Sequence, residues 1–427
     1  MGTTLDSSLN RNTPRSLRPA LLLCVAGVFM PLFGQNLLLL VFLIWAWMVR
    51  PKGEPWGKIG LLGLSQLLLW VWTLISVLWS YNCEEAITKT LSKVQWVVWP
   101  LAFMALRPWM VEQRRWFARC IWVSALFVSG ICIVDVLWRS RGPVFWFQDM
   151  VYDNLARVSG LDPAYLGMWI LLALVAYGQD QVMPRQNHER KVIAWHTAYL
   201  LFTVVMVTLL SSRMAMLTGL AMMGVFLIIL LRLRKFRWSI AGGLTMLILI
   251  PWLRIQGNAI NRTRVGEMMD LKADYSTNHR GSGPLRIALW KNTLKCYASN
   301  PIFGTGVGDF QDDIRKVYRQ NKLEIGYVNQ FNSHNQYLQT LATLGPLGLL
   351  LLLMILLYPL WQAWKHQQWE ALMVFVILLM SMVSESTLER QKGLYIVGLL
   401  SNGYFGELLQ RGTPTQTHVN DPPKHAT

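Results

Sequence analysis

Apolar stretches recur along most of the chain, each close to the about 20 residues that a helix needs to cross a bilayer. Twelve fall near 18–32, 35–49, 59–79, 91–106, 117–137, 161–178, 193–211, 213–231, 238–253, 335–360, 370–384 and 393–409. The first follows Arg11, Arg15 and Arg18 as a signal peptide would. A second run comes almost at once with no small-residue cleavage site between them, so the first is read as a retained helix. A chain that crosses a bilayer must satisfy its backbone internally. The pattern therefore predicts an all-α, polytopic integral membrane protein of about 12 transmembrane helices.

Composition agrees with that pattern. The 427 residues are 53% hydrophobic and only 15% charged, with a mean hydropathy of +0.32, whereas a soluble domain carries about 25% charged residues. An ordinary soluble domain and a disordered chain are both excluded. The five cysteines have no C-x-x-C spacing, which argues against structural zinc and a dense disulfide scaffold.

The net charge of +17 belongs to a membrane-like chain, so it speaks for topology and membrane lipids; no nucleic-acid partner is expected. Lys and Arg concentrate in alternate connections, including Arg50, Lys52 and Lys58, then Arg107, Arg114, Arg115 and Arg119, then Arg185, Arg190 and Lys191, and the run 232–237. The positive-inside bias then places both termini in the cytoplasm. The expected organisation is nine membrane helices over 1–253, one large periplasmic segment with short helices over 254–333, three further membrane helices over 334–409, and a cytoplasmic polar tail over 410–427. Tryptophans near segment ends, among them Trp45, Trp47, Trp96, Trp99, Trp146, Trp238, Trp361 and Trp364, read as an interfacial belt.

The outer segment holds twelve Lys and Arg against seven Asp and Glu. Such a surface suits phosphate or diphosphate groups on lipids whose tails lie in the adjacent bilayer, or simply faces headgroups and solvent. Arg286 stands out among the twelve. Gly281-Ser282-Gly283-Pro284 leads into a predicted helix over 285–299, with an apolar stripe of Ile287, Trp290, Leu294 and Ala298. Arg286 then sits in the first turn, where free N–H groups and the helix dipole favour an anion. After Asn300-Pro301 the string Gly304-Thr305-Gly306-Val307-Gly308 lets backbone approach a substrate closely, and the nearby Asp312-Asp313 reads as helix surface.

His334 stands just before the tenth apolar run, in Asn332-Ser333-His334-Asn335-Gln336-Tyr337-Leu338. Ser333 and Gln336 have capping-box spacing, which would start a helix at His334 and favour a neutral ring able to act as a base. Arg213 lies between two apolar runs at an outer turn, where an arginine is costly unless it pairs or lines a cavity. It is a fixed, bidentate phosphate ligand by type. Two anion holders and one base at one membrane level suggest transfer from a phosphate-linked donor. His279, the other outer histidine, lacks that context.

The stretch Pro301-Ile302-Phe303-Gly304-Thr305-Gly306-Val307-Gly308-Asp309-Phe310, with Ser333-His334-Asn335-Gln336-Tyr337-Leu338 and Leu344-Gly345-Pro346-Leu347-Gly348, resembles the shared region of bacterial O-antigen ligases and polymerases. The resemblance implies an inner-membrane, metal-independent glycosyltransferase without a cofactor, its active site facing the periplasm. The implied donor is an undecaprenyl-diphosphate-linked polysaccharide, and for a ligase the acceptor is lipid A-core. Carried over by position, His334 is the base, Arg213 and Arg286 hold the donor diphosphate, and Gly304, Gly306, Asn335 and Tyr337 are candidate substrate contacts. A compact chain with one large outer segment favours ligase over polymerase, while members that glycosylate proteins share the motif. A lipid or polysaccharide flippase, the reading from another class, would show two similar halves; no internal repeat is visible here. A scaffold protein would leave His334 and Arg213 without a purpose.

Overall fold

The computed structural model describes residues 13–50, 59–139, 150–182, 190–232 and 283–411. Every regular element among these residues is helical. In chain order they are α1 (Leu17–Ala26), α2 (Leu32–Val49), α3 (Leu61–Ile75), α4 (Cys83–Ser92), α5 (Gln95–Arg139), α6 (Asp153–Ala156), α7 (Pro163–Tyr177), α8 (Arg190–Leu210) and α9 (Arg213–Arg232). They continue with α10 (Gly283–Ser299), α11 (Phe310–Gln320), α12 (Glu324–Val328), α13 (Gln336–Lys365), α14 (Trp369–Ser384) and α15 (Gln391–Arg411). The apolar run near 238–253 and the outer segment up to residue 282, His279 included, lie outside the described residues.

Where described, the apolar runs became helices, with two departures. The runs near 91–106 and 117–137 lie in the one long α5. Its expected connection contains Pro108 as well as the helix-forming Arg107, Glu112, Gln113, Arg114 and Arg115, and the part from Glu112 to Arg139 is by itself long and apolar enough to cross a membrane. The second departure concerns number. Among the described helices, Leu32–Val49, Leu61–Trp79, Glu112–Arg139 and Gln336–Lys365 are long and apolar enough to cross a membrane, and a fifth span results if Asp153–Ser159 and Pro163–Gln181, bent by 72°, count as one. Leu17–Phe29, Ala194–Leu210 and Trp369–Ser384 are apolar but shorter. The described helices thus count to fewer crossings than the twelve expected.

The core forms where α5 lies against α15, α7, α2, α1 and α3, and where α14 lies against α13, α9 and α7. Trp96, Trp99, Trp169, Phe375 and Tyr395 are buried within it. Trp96 and Trp99 therefore serve the interior and not the expected interfacial belt, whereas Trp361 and Trp364 remain exposed. Small residues set the approach of α15 to α5. A Cβ on Gly398 would stand 2.1 Å from Trp99 Cδ1, and one on Gly403 would stand 2.6 Å from Phe117 Cε1, which is how membrane helices pack without a hydrophobic drive between them. By contrast α2 turns Phe33, Leu37, Leu40, Ile44 and Met48 outward as a stripe suited to lipid.

Outside this bundle, α10, α11 and α12 share a smaller core of Leu285, Leu289, Cys296, Phe310, Ile314, Tyr318 and Leu323. The buried face of α10 is not the one expected from the sequence. Leu285, Leu289, Thr293 and Cys296 face inward, while Ile287 and Leu294 are exposed. Both sets fit a 3.6-residue period, and packing against α11 and α13 chooses between them.

One break in α13 fixes the geometry of the whole outer end. Gly345 has φ 68° and ψ −171° inside the helix and is followed by Pro346. The turn before the break would be left with free carbonyls. The glycine string takes them up. Thr305 N–H donates to Ala342 O at 2.9 Å and Gly306 N–H to Thr343 O at 3.0 Å, while Trp72 Nε1–H donates to Leu344 O at 2.9 Å. The approach is so close that a Cβ on Gly304 would stand 2.6 Å from Thr343 O, and one on Gly345 would stand 2.3 Å from Ile302 O. On the other side of the string, Asp309 accepts from the N–H groups of Tyr81 (2.7 Å) and Asn82 (2.9 Å), tying it to the start of α4.

Gly345→Ala tests this joint. A side chain at that backbone conformation costs about 1–3 kcal/mol, and the added contact with Ile302 O should lower the unfolding midpoint in detergent by several degrees. Gly130→Ala, where a Cβ meets nothing within 4 Å, should leave the midpoint unchanged or raise it. Equal midpoints for the two variants would show that the joint does not carry stability.

Candidate functional site

The site is built where α13 begins. Helix α13 starts at Gln336, capped by Asn335, whose Oδ1 accepts from Leu338 N–H at 3.0 Å. The expected capping box of Ser333 and Gln336 does not form, because Asn335 takes the cap and the other two side chains reach elsewhere. His334 consequently lies in the turn before the helix, with φ 45°. Its N–H donates to Asn332 Oδ1 at 3.0 Å, and the Phe331 ring meets the imidazole edge to face at 5.5 Å.

Five consecutive side chains of this motif reach across to one partner segment, the end of α14 and the connection into α15. Ser333 Oγ is 3.2 Å from Ser386 Oγ, and His334 Nδ1 is 3.2 Å from Glu385 Oε2. Asn335 Nδ2 donates to Val383 O at 2.9 Å. Gln336 Oε1 accepts from Leu388 N–H at 2.7 Å, and the Tyr337 hydroxyl donates to Leu379 O at 2.7 Å. Of the sequence candidates, Asn335 and Tyr337 thus hold backbone, as do Gly304 and Gly306 at the break in α13.

Glu385 is the centre of the constellation. Its Oε1 accepts from Arg286 Nη2 at 2.7 Å while its Oε2 faces His334. Arg286 stands in the first turn of α10, as the sequence predicts. The three side chains are mostly enclosed but not sealed, at 18% exposure for Arg286, 22% for Glu385 and 29% for His334. Burial pushes the Glu385 carboxyl up. The hydrogen bond and charge of His334, with the charges of Arg286 and Arg390, outweigh it and hold the carboxyl below its ordinary value.

An ionised carboxylate only accepts hydrogen bonds. The proton of a neutral His334 therefore sits on Nδ1, and Nε2 carries the free lone pair. A ring oriented by a carboxylate through one nitrogen, with the other open, is the arrangement of a general base. Arg286 spends one of five donors on Glu385 and keeps the rest for an anion.

Arg213 is the first residue of α9, preceded by Ser212, whose Oγ accepts from Ala215 N–H at 3.3 Å. The Arg213 side chain and His279 lie outside the described residues, so Arg286 and His334 are the sequence candidates that the structure brings together. Arg315 stacks on Tyr327 at 5.1 Å, and Asp313 pairs with Lys316 on the surface of α11. Among the described residues no three His, Cys, Asp or Glu side chains are grouped to hold a metal ion.

Sequence reasoning missed Glu385. The signal was present in Ser384-Glu385-Ser386-Thr387-Leu388-Glu389-Arg390, a polar connection between two apolar runs that the charge alternation puts level with His334. An ionisable residue at membrane depth is by default a functional candidate.

Residues 198–353 match the family model described as O-antigen ligase. No curated protein matches the chain. The matched stretch contains Arg213, Arg286, the glycine string, His334 and the break at Gly345, and over these residues the chain is similar to the O-antigen ligase family.

Proposed function

We propose that this membrane enzyme transfers O-antigen polysaccharide from undecaprenyl diphosphate to a hydroxyl of lipid A-core on the periplasmic face of the inner membrane. The observation that carries this reading is the open Nε2 of His334, set by Glu385 beside the guanidinium of Arg286. In the reaction, Nε2 takes the proton of the acceptor hydroxyl as its oxygen bonds to the anomeric carbon of the donor glycan. The bond from that carbon to the diphosphate breaks, and undecaprenyl diphosphate leaves with the electron pair. Arg286, joined by Arg213 in this reading, meets the charge that develops on the leaving diphosphate. His334 then releases its proton to water.

The basic connections support the orientation. Arg18, Arg50, Arg114 and Arg115 are read as cytoplasmic, and Lys322, beyond α11, as periplasmic. Single cysteines replacing Lys322 and Arg114 in a background without the native cysteines decide the matter. An impermeant thiol reagent added to the periplasm should label the first and not the second, and the reverse pattern would overturn the periplasmic placement.

His334→Ala should insert and fold, because Asn335 and not His334 caps α13. Its transfer rate should fall by roughly 100- to 10,000-fold, the usual range for removing a positioned general base. Glu385→Gln should also lose on the order of 100-fold or more. In that variant Arg286 would keep the amide oxygen, so the amide nitrogen would face Nδ1 as a donor and force the ring proton onto Nε2, the wrong nitrogen. Purified variants assayed with the lipid-linked donor and lipid A-core check both, and near-wild-type transfer by either removes the proposed base or its orientation.

Arg286→Lys keeps the charge but not the fork that spans a carboxylate on one side and a phosphate on the other. Donor affinity and turnover should both fall, by on the order of tenfold or more, in line with charge-assisted hydrogen bonds being about twice as strong as neutral ones. Full activity of the lysine variant would reduce Arg286 to general electrostatics. In cells, loss of function should remove long polysaccharide from lipopolysaccharide and accumulate carrier-linked polymer. Single capped repeats instead would indicate a polymerase.

A further inference from the structure

Behind the Glu385–His334 pair lies a second ion pair that the reaction just described does not use. Lys93 follows the last residue of α4 and leads into α5, and it is only 8% exposed. Its Nζ donates to both carboxylate oxygens of Glu389, at 3.1 and 3.2 Å. Glu389 ends a short turn over Thr387–Glu389, four residues beyond Glu385. Gln336, two residues beyond His334, joins the two arms. Its Nε2 donates to Glu389 Oε1 at 3.2 Å and to Thr340 Oγ1 at 3.0 Å, while its Oε1 accepts from Leu388 N–H at 2.7 Å.

A lysine and a glutamate this enclosed are costly unless each meets the other and the remaining donors and acceptors are filled. Here the lysine spans both carboxylate oxygens, and Gln336 adds a further donor to one of them. Burial pushes the Glu389 carboxyl up, and Lys93 together with the Gln336 hydrogen bond brings it below its ordinary value. The carboxylate therefore stays charged at neutral pH and the pair stays closed.

We propose that Lys93 is a positioning residue for transfer: through Glu389 and Gln336 it holds the 385–389 connection against the start of α13 and so fixes Glu385 on His334. This rests on the reading of His334 as the base. The geometric leverage is short. Gln336 and His334 are separated by one residue, and between Glu385 and Glu389 stand only Ser386, Thr387 and Leu388, with Ser386 itself held by Ser333. Removing the lysine leaves a largely enclosed carboxylate, 19% exposed, without the cation that spans both its oxygens, and the connection moves to bring that charge to water or to another partner. Glu385 would move with it. A misplacement of about 1 Å in a reacting constellation costs on the order of 100-fold in rate.

The test uses the purified full-length chain in detergent, an undecaprenyl-diphosphate-linked glycan as donor and lipid A-core as acceptor, with rates expressed per folded molecule after size exclusion. Lys93→Met should lower kcat by roughly 10- to 100-fold and change the KM for donor by less than kcat, since Arg286 stays on α10 even where its bond to Glu385 shifts. Lys93→Arg, which can still span both oxygens of Glu389, should keep kcat within a few-fold of wild type. The double variant Lys93→Met with Glu389→Gln should regain most of the lost kcat, because no unpaired charge remains and the new amide can still face Gln336.

A wild-type kcat in Lys93→Met, or a loss that neither Lys93→Arg nor the double variant relieves, would overturn the positioning role. His334→Ala in the same assay separates the two levels. If it is inactive while Lys93→Met is fully active, only the positioning role fails. If His334→Ala is itself active, the base fails and the role of Lys93 fails with it.

Discussion

The outer end of this molecule depends on one requirement, that carbonyls set free by a broken helix near a membrane find donors. The break at Gly345-Pro346 leaves Ala342, Thr343 and Leu344 with no helical partner beyond them. Thr305, Gly306 and Trp72 supply the donors. Because two of the three come from the glycine string, that string must lie flat on the α13 backbone, and only glycine allows it at 304 and 345. The same contact brings α10, which precedes the string, to the N-terminal end of α13. Arg286 is thereby carried to the level of His334.

Charge completes what the backbone begins. Around the connection from α14 to α15 stand Glu385 and Glu389, with Arg286, His334 and Lys93 against them and Arg390 close by, itself paired with Asp162. Each carboxylate holds a different neighbour. Glu389 fastens the connection to the α4–α5 corner, and Glu385 sets the ring of His334. Glu385 also holds Arg286 by one edge of its guanidinium, so that in the proposed reaction the diphosphate would meet a planar cation already fixed in place.

Much of this was legible in the sequence, for physical reasons that vary with the residue. Apolar length identified the helices because a bilayer tolerates little else. Arg286 was placed correctly in a first turn because glycine and proline before it signal a helix start. The buried face of α10 was misread because Ile287 and Leu294 fit the helical period as well as Leu285 and Leu289 do, and only packing separates them. The glycines were read as points where backbone approaches closely, and the approach the structure shows is to the chain's own α13 backbone. The local signal at Glu385, a polar connection between apolar runs, marks an ionisable residue near the membrane edge, but its partners lie 51 and 99 residues away in sequence, and no local pattern records them.

The family match ends at residue 353, and Glu385 lies beyond it. His334 and Glu385, the proposed base and the group proposed to orient it, therefore meet only when α14 packs against α13. The motif supplies that packing from its own side chains. Around His334, Ser333, Asn335, Gln336 and Tyr337 bond in turn to Ser386, Val383, Leu388 and Leu379. These four side chains fix the segment that carries Glu385, at residues on both sides of it. Their proximity to the base is thus explained without any contact to the glycan. The rigidity they give holds Glu385 against His334 Nδ1 and Arg286, so that in the proposed reaction Nε2 and the remaining donors of Arg286 are the groups left for the acceptor hydroxyl and the diphosphate.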